Sequence, residues 1–131
     1  MLFRSNRARI RRLVREAEAY LGQEGITPVT EEYFFKDGAE PDAKRVETAR
    51  EVIGRELKML ARELRGSFFA GESPTAADFV LYPYLAYVSR ITFRKPETRL
   101  VELEPAEICA WRKRLESMPY YDKTFPPHWR G

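Results

Sequence analysis

The sequence predicts an all-α fold, a bundle of about four or five helices around a capped central one. Three observations predict it. Apolar residues recur at helical spacing over most of the chain, strand-type alternation is almost absent, and a Thr-x-x-Asp capping signal opens an apolar stretch near the middle.

The first helix is predicted over residues 6 to about 24, where Ile10, Val14, Ala17 and Leu21 form a stripe that Leu13 widens. Ser5 or Asn6 is its candidate N-cap, and Gly22 and Gly25 are expected to bracket its end. Pro28 then opens two further turns over residues 29–36, which carry Tyr33, Phe34 and Phe35, and Asp37-Gly38 marks a turn. Residues 41–64 make the longest periodic segment, with Val46, Ala49, Ile53, Leu57, Leu60 and Leu64 on one stripe and Gly66 closing it. Residues 93–104, with Pro96 and scattered charges, read as a loop. Pro105 begins a last helix with Ile108, Trp111 and Leu115 facing inward. The chain is expected to leave helix at Pro119, and Pro126-Pro127 to keep the tail extended.

A chain of 131 residues fits one domain, and 44% hydrophobic with 33% charged residues is too apolar for disorder. No repeat or linker divides it. The single cysteine, Cys109, forms no internal disulfide, and no signal peptide is visible, so a cytoplasmic setting is expected. No apolar run is long enough to span a bilayer, and no membrane association is expected. The net charge of +3 is concentrated in Arg4, Arg7, Arg9, Arg11, Arg12 and Arg15. The cluster has no interleaved aromatics and no nucleic-acid motif, and solvated helix arginines explain it, so nucleic-acid binding is not expected.

The most informative segment is Phe69-Ala70-Gly71-Glu72-Ser73-Pro74-Thr75-Ala76-Ala77-Asp78-Phe79. Thr75 is placed to accept a hydrogen bond from the Asp78 amide while the Asp78 carboxylate returns to the Thr75 amide, with Asp in place of the usual Glu or Gln. Each donor left unmet at a buried helix start costs about 1–3 kcal/mol. A carboxylate occupied by backbone amides is poorly placed for catalysis, so the role of Thr75 and Asp78 is read as structural. The helix they open is apolar nearly all round, from Phe79 through Leu85 to Val88, and so should be surrounded by others. Pro83 inside it removes an amide and predicts a kink.

A glycine, a short turn and Thr-x-x-Asp leading an apolar helix resemble the N-capping box of the C-terminal helical domain of cytosolic glutathione S-transferases. The ending agrees: Trp111-Arg112-Lys113-Arg114-Leu115-Glu116-Ser117-Met118-Pro119-Tyr120 is similar to the family's last helix and its proline exit, and residues 123–129 are similar to the tail of bacterial-type members. The resemblance covers nearly the whole chain. It implies a two-domain parent in which a thioredoxin-like N-terminal domain holds glutathione as co-substrate and supplies a Tyr, Ser or Cys that stabilises its thiolate. The helical domain helps shape the site for a small electrophile, and the parent is a homodimer acting in detoxification.

Only the helical part is legible here, because the first helix follows directly on Met1 with no βαβ pattern before it. Leu2-Phe3-Arg4-Ser5 is also one translation of a common sequencing-adapter end. The chain is therefore expected to be a fragment, with no catalytic residue, no cofactor bound by itself and no activity in isolation. By the same resemblance its substrate-binding wall is expected near Asn6, Arg9 and Arg12 on the first helix and near Tyr33, Phe34 and Phe35 beyond it. The three aromatics also fit simple packing between helices, and Tyr33 is the better ligand contact because its hydroxyl suits a pocket edge. The alternative function is a non-catalytic relative that serves as a protein-interaction module. No metal site is expected, since His128 is the sole histidine and lacks partners. Cys109 reads as a small packed residue rather than a nucleophile.

Overall fold

The computed structural model describes residues 2–119, and every regular element among them is helical. Helix α1 (Leu2–Glu16) passes without a break into a π-helical segment (Ala17–Ile26) and then into α2 (Thr27–Phe34). The long α3 (Ala43–Glu63) and the central α4 (Ala76–Arg94) follow. Two 3-10 turns (Pro96–Thr98 and Leu100–Leu103) lead to α5 (Ala106–Glu116). A lone bridge between Phe68 and Gly71 is the one β-type contact among the described residues.

The first helix corrects the sequence expectation at both ends. It starts at Leu2, which leaves Ser5 and Asn6 inside it, and the Asn6 side-chain oxygen accepts from Arg9 Nη2 at 3.2 Å. Gly22 and Gly25 lie within the π-helical segment and end nothing. Their role is close approach. A Cβ on Gly25 would stand 2.7 Å from Ile53 Cγ1 on α3, and one on Gly22 would stand 3.2 Å from the Tyr84 ring on α4. The π-turns also keep the stripe in line. Leu13, Ala17, Leu21, Gly25 and Val29 are all buried and recur every four residues, which drifts around an α-helix of 3.6 residues per turn. Turns closed by longer hydrogen bonds, such as Thr27 N–H to the Gly22 carbonyl, hold more residues and rotate the stripe back towards α3 and α4.

Helix α3 forms close to where its periodicity predicts. Asp42 caps it by accepting from the Lys44 amide at 3.0 Å and the Arg45 amide at 3.2 Å. Its end is set by Leu64 in extended backbone rather than by Gly66. Val46, Ala49, Ile53, Leu57 and Leu60 are buried as expected. Helix α4 extends to Arg94 and runs through Pro83 without interruption. It buries Leu81, Leu85, Val88 and Ile91, but it is not enclosed all round: Phe79 is 52% exposed, Val80 46% and Phe93 70%. Arg90 covers part of that face, with its guanidinium carbon 5.3 Å from the centre of the Phe93 ring, while Phe79 and Val80 stay exposed.

Residues 93–104 are more ordered than a loop. Thr98 and Leu100 are buried, the Thr98 hydroxyl donates to the Lys95 carbonyl at 2.8 Å, and Arg50 of α3 donates to the Thr98 carbonyl. Arg99 takes the left-handed backbone conformation, φ 49°, that turns one 3-10 piece into the next. Helix α5 places Ile108, Trp111 and Leu115 in the core as its spacing predicts. The tail beyond Pro119, including His128 and the two prolines, lies outside the described residues.

Candidate functional site

The capping segment organises the centre of the bundle. The Thr75–Asp78 box closes, with Asp78 Oδ2 accepting from the Thr75 amide at 2.8 Å and from the Thr75 hydroxyl at 3.3 Å, and with the Asp78 amide 3.0 Å from the Thr75 carbonyl oxygen. The other carboxylate oxygen does what sequence spacing cannot reveal. Oδ1 accepts from the Phe69 amide at 3.0 Å and from Trp111 Nε1 at 2.9 Å, so Asp78 pins the loop before α4 and the core tryptophan of α5 at once. Phe69 and Trp111 are fully buried and meet edge to face, 5.1 Å between ring centres. Every acceptor position of Asp78 is turned to structure.

Arg9 is built into the same framework. It donates to the Glu63 carbonyl and carboxylate, both at 3.0 Å, and to the Phe69 carbonyl at 2.6 Å, joining α1 to the end of α3 and to the loop. Arg12 is exposed and reaches the same Glu63 carboxylate at 3.3 Å. These contacts hold the bundle together. Arg9 and Arg12 stand roughly 15–20 Å of helix, at about 1.5 Å per residue, before Gly22.

Beyond Gly22 the surface changes character. A hollow of about 410 Å³ runs between the π-helical segment and α4, walled by Ile26, Thr27, Phe35, Pro83, Tyr84 and Tyr87. A second of about 330 Å³ adjoins it through Thr30, Phe35 and Tyr87 and continues to Phe34, Arg90 and Arg94. Together they form one groove, within the size range of small-ligand sites and mostly apolar, with Phe34, Phe35, Tyr84 and Tyr87 as its aromatic walls. Its shape follows from Gly22, which lets Tyr84 lie close against the first helix, and from Pro83, whose exposed ring supplies wall. Burial pushes the Tyr84 phenol above its usual range, with Glu18 adding to the effect.

The structure does not gather Arg9, Arg12, Tyr33 and Phe34 at one place. Phe34 and Phe35 line the groove, and Phe35 is 73% exposed there. Tyr33 instead packs against the core, where burial and Glu97 raise its phenol while Arg50 opposes them. The α4 residues Tyr84, Tyr87, Arg90 and Arg94 were not singled out by sequence reasoning. The signal available was their spacing, since they fall on one side of a helix at three- and four-residue steps.

Other clusters are structural or charged. Glu32 is buried and accepts from Lys36 Nζ at 2.6 Å, from Arg45 Nη1 at 2.7 Å and from the Asp42 amide at 2.7 Å, tying α2 to the start of α3. These donors, Lys36 first, hold its carboxyl down at about 2. A charged hollow of about 390 Å³ on the outer side of α3 is lined by Glu47, Arg50, Arg55, Lys58, Met59 and Arg62. Among the described residues no group of three or more His, Cys, Asp or Glu is placed to hold a metal ion, and no helix is long and apolar enough to cross a membrane.

The sequence model of the family described as glutathione S-transferase, C-terminal domain, matches residues 10–119. No match was found among curated proteins or solved structures.

Proposed function

Since this chain belongs to the glutathione S-transferase C-terminal domain family, we propose that it is the electrophile-binding half of a two-domain protein that conjugates or reduces small electrophiles with glutathione. The groove between the first helical run and α4 carries this assignment. Its aromatic walls suit the apolar body of an electrophile, and Phe34 and Phe35 are its contribution from the segment first expected to hold substrate.

The chemistry then divides between two domains. Attack on an electrophile needs glutathione as thiolate, which a positioned Tyr, Ser or Cys of a thioredoxin-like domain provides by donating a hydrogen bond to the sulfur. This chain contributes orientation and exclusion of water around the second substrate. Arg9 and Arg12 act indirectly by fixing α1 against α3. The exposed Phe79 and Val80 at the start of α4 offer apolar surface for the partner domain to cover. The working form is taken to be a cytoplasmic homodimer, with glutathione as co-substrate rather than a cofactor held by this chain.

A conjugation assay tests the division of labour. The purified chain, given glutathione and a chloronitroarene, should react no faster than buffer. A rate clearly above buffer would place thiol activation within this chain.

A further inference from the structure

The groove is apolar along most of its length but cationic at one end. Arg94 lies at that end with its guanidinium carbon 5.9 Å from the centre of the Phe34 ring, Lys95 stands 6.0 Å from the same ring, and Arg90 lies one helical turn earlier. The Phe34 ring lies within cation–π reach of Arg94 and does not neutralise its charge. Among the described residues no carboxylate forms an ion pair with Arg94 or Lys95. The one acid among the residues lining the groove, Glu31, stands on the wall of its 410 Å³ part, away from Arg94, and is paired with Arg45 at 3.3 Å. An apolar trough thus ends in a positioned, uncompensated cation.

From this we infer that the groove selects organic anions, with an aromatic body between Tyr84 and Phe35 and a carboxylate or sulfonate against Arg94. The inference rests on the assignment of the groove as the electrophile site and adds to it the charge of the ligand. A guanidinium receives a carboxylate through two parallel N–H donors, which favours this head group over a neutral amide of the same shape. The trough, at about 410 Å³, accommodates a fused two-ring body.

Calorimetric titration of the whole chain with 2-naphthaleneacetate and with its neutral amide separates the two layers of the argument. The acid should bind roughly tenfold more tightly than the amide, and added salt should weaken the acid alone. Arg94→Gln should bring the acid down to the affinity of the amide and leave the amide unchanged, whereas Lys58→Gln on the outer side of α3 should change neither. Tyr87→Ala should weaken both. Equal binding of acid and amide, or an acid affinity untouched by Arg94→Gln, would overturn the anion preference while leaving the groove as an apolar site. Failure of both probes to bind would overturn the groove assignment as well.

Discussion

Asp78 shows how much one side chain can hold together. Its carboxylate accepts from the amides of Phe69 and Thr75 and from the Trp111 indole, in a site closed to water. Asp78→Ala leaves three donors unmet at once, those of Phe69 and Trp111 buried and that of Thr75 partly so, and an expected cost on the order of 3–5 kcal/mol follows. Urea unfolding measures it, and adding Trp111→Phe should cost less in the Asp78→Ala background than in the parent, because the indole donor is already stranded there. Glu32 makes a different kind of prediction. Its carboxyl is held down from 4.5 to about 2, so the stability it contributes is present above pH 4.5 and is lost as pH falls through about 2. The gap in unfolding midpoint between the parent and Glu32→Gln should be full at neutral pH, shrink below pH 4.5 and close near pH 2. At this scale the box of Thr75 and Asp78 was legible, because its partners are three residues apart. The bonds to Phe69 and Trp111 were not, since local spacing says nothing about a donor 33 residues away.

The helices α3 and α5 follow from their apolar spacing almost to the residue, and both bury the stripes that predict them except for Leu64, which caps α3 partly buried. The first helix does not, and the reason is glycine. Read locally, Gly22 and Gly25 signal a helix end, yet the neighbouring helices need the space where a Cβ would stand. Gly25→Ala should therefore destabilise the bundle by about 1–3 kcal/mol, by pressing the new methyl into Ile53. In an Ile53→Ala background the penalty should shrink, and thermal unfolding of the four variants reads the coupling. A gain in stability on Gly25→Ala alone, as helix propensity by itself would give, would show that the close approach costs nothing. The 3-10 turns after α4 were hidden for a related reason, because their order comes from Arg50 of α3 reaching the Thr98 carbonyl.

For the whole molecule, the uncovered face of α4 is the feature with a solution consequence. Phe79 and Val80 expose large apolar area beside one another near the start of that helix. The chain alone should therefore self-associate as its concentration rises, and sedimentation velocity over about a hundredfold range should show a growing average mass that Phe79→Ser with Val80→Ser suppresses. A single monomer boundary across that range would argue that the face needs no partner. The sequence by itself determined the all-helical class, the stripes of α3 and α5, the capped start of α4 and the family, because each rests on residues a few positions apart. Tertiary structure alone decided that the first helix runs on through its glycines, that Arg9 serves the framework while Phe34 lines a groove, and that Arg94 meets Phe34 at its end. Those facts depend on which helix faces lie together, and that is fixed by packing between segments far apart in the chain.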